Sequence, residues 1–123
     1  MKQPVRLSLI SIFAVLAACS SSPSPQAADA LQEVREEYAA SRFGDVARTV
    51  ATSDALASAP TSIRVEALKL QAFSYCVIGY HQLCEDSFTR ILQLQPSFEL
   101  APNEAGHPQW GPVFKSAKAA QTR

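Results

Sequence analysis

Three cysteines, two histidines and an acidic cluster are the side chains of this 123-residue chain that could do chemistry. Cys76 and Cys84 are eight residues apart and could form a disulfide if the chain turns between them, as Gly79 allows; the alternative is two small buried hydrophobes. His81 and His107 have no metal-ligand spacing around them, so one reads as a surface group and the other as a loop hydrogen-bonder before Pro108. Glu33, Glu36 and Glu37 read as a solvated helix face near a positive helix end. No nucleophile–base pairing and no phosphate-cradling glycine loop stand out, with four glycines in all. The sequence therefore predicts no catalytic residues, no metal and no cofactor. The chain reads as a non-enzyme with no small-molecule substrate.

Cys19 has a different setting. Lys2 and Arg6 precede an apolar run from Leu7 to Val15, followed by the small residues Ala17 and Ala18. The run is too short to span a bilayer and has the layout of a secretory signal. Leu16-Ala17-Ala18-Cys19 resembles the lipobox of bacterial lipoproteins, which implies acylation of Cys19 and removal of residues 1–18. In such lipoproteins Asp after the cysteine favours inner-membrane retention. Ser20 does not, so the resemblance implies the periplasmic face of the outer membrane. Removal of the signal also takes Lys2 and Arg6, leaving 105 residues with nine basic and eleven acidic groups, a net charge of −2. That balance argues against a nucleic-acid surface and leaves membrane attachment to the lipid.

The elements that would position these groups are helical. Residues 19–28 are the lipidated cysteine and a Ser/Pro tether, disordered and reaching about 30 Å, and residues 29–123 form one domain. Asp29 and Gln32 predict a capped first helix carrying Leu31, Val34 and Tyr38 on one face. A turn with Gly44 leads to a second helix with Val46, Ala47, Val50 and Ala51. Residues 58–62 end it, and Ser62 could cap a third helix over about 63–78. That helix is apolar nearly all round, with Val65, Leu68, Ala72, Phe73 and Cys76 among others, and should be central. A fourth places Leu83, Cys84, Phe88, Ile91 and Leu92 inward and stops near Leu94, before Pro96. No sustained alternation predicts a strand, so the fold class is all-α.

Self-comparison at an offset of 37 aligns Leu31 with Leu68, Tyr38 with Tyr75, Phe43 with Tyr80 and Ala47 with Cys84. The chain here resembles the tetratricopeptide repeat, a helical hairpin of about 34 residues. Leu68, Ala72, Tyr75, Cys84, Phe88 and Pro96 fit the pattern of the second copy, whereas Arg35 and Ala51 make the first degenerate. The expectation is two stacked hairpins, covered by a Pro-rich segment that wraps back over the second and closed by a helix over about 112–121. Stacked hairpins form a concave groove, which in this register would present Gln32, Glu36, Lys69 and Phe73 to a partner. Trp110 could add an interface anchor or fill the missing cap.

The lipobox, the tether, the paired cysteines and the run from Gly106 to Phe114 together resemble the TssQ family of lipoproteins associated with type VI secretion systems. That resemblance, over roughly 30–120, implies an accessory or assembly factor that binds envelope proteins of the secretion machine. The alternative is a pilotin-like lipoprotein chaperone for an outer-membrane secretion pore.

Overall fold

The computed structural model describes Pro4 and residues 22–123; the signal, the lipobox and Cys19 lie outside the described residues. All regular structure among them is helical: α1 (Pro25–Ala39), α2 (Phe43–Thr52), α3 (Asp54–Ala57), α4 (Thr61–Val77), α5 (His81–Leu94), α6 (Pro102–Ala105) and α7 (Gly111–Gln121).

The first helix begins four residues before Asp29. Ser24 Oγ accepts from the Ala27 amide at 3.2 Å and Pro25 supplies a pre-set φ at the first helical position. Ala27 is fully buried, so burial extends the helix into what composition assigned to the tether. The bend after α2 holds an unforeseen single turn: Ser53 Oγ accepts from the Leu56 amide at 3.2 Å, starting α3 and burying Leu56. Pro60, rather than Ser62, is the N-cap of α4, again consistent with a chain that turns at proline and then coils.

The central helix is α4, which packs against α1, α2, α3 and α5, while α7 packs on α5. Arg35 forks onto Glu66 through two 2.8 Å bonds, and Tyr38 lies against Phe73. Contacts that advance together along both helices mean that α1 and α4 run parallel. Two apolar clusters result. Leu31, Val34, Val46, Leu56 and Ala67 form the smaller one. Phe73, Cys76, Cys84, Phe88, Ile91, Leu92, Trp110 and Phe114 are among the members of the larger, and Tyr38 packs on both.

A buried polar link ties three helices together. Gln71 Nε2 on α4 donates to the Ala47 carbonyl on α2 at 3.1 Å, and Ser87 Oγ on α5 lies 3.1 Å from Gln71 Oε1. With both ends of its amide engaged, Gln71 avoids the desolvation cost of an unmet buried group. Two side chains depart from the expected facing. Leu83 is 43% exposed rather than inward, because Cys84, Ser87, Phe88 and Ile91 form the buried stripe of α5. Glu37 is buried instead of solvated, with Oε1 accepting from Thr49 Oγ1 at 2.9 Å.

Cys76 and Cys84 form a disulfide that closes the turn between α4 and α5, with Cα atoms 5.3 Å apart. Gly79, at φ +91°, makes the reversal, in a region that costs other residues more. Closing a loop of this length stabilises the fold by about 2–3 kcal/mol through lost unfolded-state entropy. Reduction by dithiothreitol is expected to lower the unfolding free energy by that amount, read from urea titrations with and without reductant; equal curves would show that the bridge adds nothing.

Candidate functional site

The face shared by α1 and α4 was the expected partner groove, and the chain itself covers its second half. After α5, residues 95–101 reverse direction, and α6 brings Glu104 to Lys69, with Nζ and Oε2 2.9 Å apart. Trp110 then lies flat on Phe73, ring centroids 4.0 Å apart and 14° from parallel. Its indole N–H donates to the Glu104 carbonyl at 3.0 Å. His107 stacks on the outer face of the same indole, centroids 3.4 Å apart, and its Nδ1 accepts from the Gln109 amide. Trp110 is thus held between Phe73 and His107, its one polar atom satisfied.

This geometry sorts the expected contact residues. Phe73 is buried and Trp110 only 8% exposed, so neither is available to a partner in this conformation: the apolar surface that sequence offered to a ligand is satisfied internally. Lys69 is committed to Glu104 and sits 5.8 Å over the Phe73 ring. Gln32 and Glu36 remain exposed on α1 and bond to each other at 3.1 Å, the i,i+4 pairing of an ordinary helix surface.

The returning segment, residues 95–110, forms a strap over α4 that is locked at its far end by Gly111. A Cβ there would meet the Ala105 carbonyl oxygen at 2.6 Å, so α7 can start this close to α6 only without a side chain. From there Phe114 packs edge-on against Phe88 at 5.2 Å, and Gln121 Nε2 donates to the Leu92 carbonyl at 3.1 Å. Lys118 pairs with Glu99, fastening α7 to the returning segment.

The turn closed by the bridge is the other notable surface. Ile78, Tyr80 and Leu83 are the exposed large hydrophobics among the described residues, and all three lie between Cys76 and Cys84. Tyr80 is 57% exposed and meets Tyr75 edge-on at 6.4 Å. His81 is also exposed here. The turn from Cys76 to Cys84 contains no acidic residue, lysine or arginine. Sequence reading placed a turn at Gly79 but missed this patch because it faced Leu83 inward.

Among the described residues no three His, Cys, Asp or Glu side chains group in a way that could hold a metal ion. No helix among them is long and apolar enough to cross a membrane.

Burial, and secondarily the nearby Glu104 charge, raise the Tyr38 phenol above its ordinary value of 10.0. A raised acid holds its stabilising contribution below the unfolded value and loses it as pH climbs through the folded one. Thermal melts should therefore show a stability loss above about pH 10 that is smaller in Tyr38→Phe; superimposable pH profiles would contradict it. Trp110→Ala removes the strap's anchor and is expected to cost about 3–5 kcal/mol in urea unfolding, whereas a cost under about 1 kcal/mol would mean that the strap is not a structural part of the fold. No family model, curated protein or solved structure matches this chain, so no relative's activity bears on it.

Proposed function

We propose that this chain is a lipid-anchored, non-enzymatic interaction protein of the outer membrane's periplasmic face, acting as an accessory lipoprotein of a type VI secretion system. The observation that carries the interaction reading is the bridged turn. A buried disulfide belongs with an oxidising compartment. Within it, Ile78, Tyr80 and Leu83 are held exposed together, and clustered apolar exposure marks a protein contact site more often than a solvated surface. A covalently closed turn also loses little entropy on binding.

The lipobox ending in Cys19 supports the anchor and the compartment, and the TssQ resemblance over roughly 30–120 supports the secretion apparatus. Within this reading the helices are two tetratricopeptide-like units, α1–α2 and α4–α5. The parallel course of α1 and α4 supports that assignment, with α7 taking the place of a third unit. The mechanism is tethering: the acyl chains hold the domain at the membrane, and the bridged turn keeps an envelope partner at high local concentration. A pilotin-like chaperone for a secretion pore is the second reading, since it shares the lipid signal and the helical pairs.

Two measurements test this. Mass spectrometry of the membrane-extracted protein should find Cys19 as an acylated N-terminus; an unmodified residue 19 removes the anchor. Crosslinking in cells followed by purification should recover core components of the secretion machine with the wild-type chain and at least about tenfold less with Tyr80→Glu, the scale expected when one interface anchor is lost. Recovery of the chain alone would overturn the assignment, and recovery of a secretin would favour the pilotin reading.

A further inference from the structure

A second surface lies on the side of α4 opposite the strap. Arg64, Ala67, Leu68 and Gln71 share one side of this helix, while Lys69 and Phe73 share the other, as a repeat of 3.6 residues requires. The first side faces a half-open cleft of about 300 Å³ between α2–α3 and α5, the low end of the range for ligand sites. Val50, Leu56, Leu68 and Leu94 give it an apolar lining, and Arg64 and Arg90 stand on it from α4 and α5.

Among the described residues Arg64 and Arg90 lack the ion pair that most other cations have; Lys115 and Arg123 lack one too, but neither lines this cleft. Arg35, Arg42, Arg48, Lys69 and Lys118 each have a carboxylate partner. Among the described residues Arg64 and Arg90 have none, nor any side-chain hydrogen bond. Arg64 also stands in the first turn of α4, where a cation opposes the helix dipole, so local helix stability does not account for it. Arg64 is partly buried and Arg90 exposed, and both line the cleft with no side-chain partner among the described residues. A guanidinium takes a carboxylate in two parallel bonds.

We infer that this cleft binds an extended segment of a partner protein in which an acidic side chain is flanked by aliphatic ones, the carboxylate on Arg64 and Arg90 and the aliphatic groups on Val50, Leu56, Leu68 and Leu94. Charge complementarity selects the acid. The shape selects a peptide over an acyl chain, since a trough open along one side leaves a hydrocarbon tail in water but suits a backbone. This site extends the interaction reading but is independent of which apparatus the protein serves and of the bridged turn.

The test is selection of a random heptapeptide phage library on the immobilised full chain in detergent, then fluorescence anisotropy with the synthetic peptide of the most enriched sequence. Enriched sequences should carry Asp or Glu beside Leu, Ile or Val. Arg64→Gln with Arg90→Gln should weaken the peptide by at least about tenfold, the scale of a lost charged hydrogen bond. Arg42→Gln, whose partner Asp45 lies outside the cleft, should leave it unchanged. Circular dichroism of each variant checks that the fold is intact. No enrichment, enrichment without acidic residues, or full binding by the double variant overturns the site. Phosphatidylglycerol vesicles that displace the peptide from the wild type would also overturn it, assigning the arginines to a lipid surface. None of these outcomes depends on recovering secretion components, so failure here and failure of the proposed function are separable.

Discussion

The stack of Trp110 on Phe73 is the contact on which the rest of this small fold depends. Without it the second half of the α1–α4 face would expose a phenylalanine and a tyrosine edge to water. With it, one indole covers Phe73, draws Glu104 onto Lys69 through its own hydrogen bond, and sets the point from which α7 starts. Burying large aromatic surface is worth several kilocalories, whereas the partly buried ion pair contributes less, its attraction offset by desolvation. The strap is therefore held by rings and guided by charges.

That arrangement changes where a partner can bind. Short helical stacks expose apolar ends that longer arrays cover with neighbouring units. Here the C-terminal segment covers Phe73 and Lys69 on the α1–α4 face, closing that surface to a partner. The remaining accessible features are on other surfaces: the bridged turn at one end of α4, and the arginine-lined cleft on its opposite side. Gln71, on the wall of that cleft, is bonded to Ala47 on one side and faces Ser87 on the other. A single amide thus keeps α2, α4 and α5 in register where apolar packing alone would allow sliding.

Helical class, the approximate extents of four helices and the final helix were all legible in the sequence, because each rests on apolar spacing and on prolines that act locally. The pairing of Cys76 with Cys84 was legible as one of two alternatives, since Gly79 permits the turn without requiring it. What local pattern could not reveal was facing decided by contacts far along the chain. Lys69 and Phe73 lie on the side of α4 that a repeat register assigns to a partner, yet the occupant comes from residues about forty positions later. Glu37 looked solvated beside Glu33 and Glu36, but Thr49 and the approach of α2 enclose it. Arg64 and Arg90 carried no signal as a pair, since their relation exists only once α4 and α5 lie side by side.

The early start of α1 has a mechanical consequence. Only five residues separate Cys19 from Pro25, so anything joined to that cysteine stays within about 20 Å of rigid helix. Because α1 and α4 run the same way, the bridged turn at the C-terminal end of α4 lies at the pole away from the start of α1. Were Cys19 held at a surface, that turn would stand at a near-constant height above it, a spacer as much as a hook.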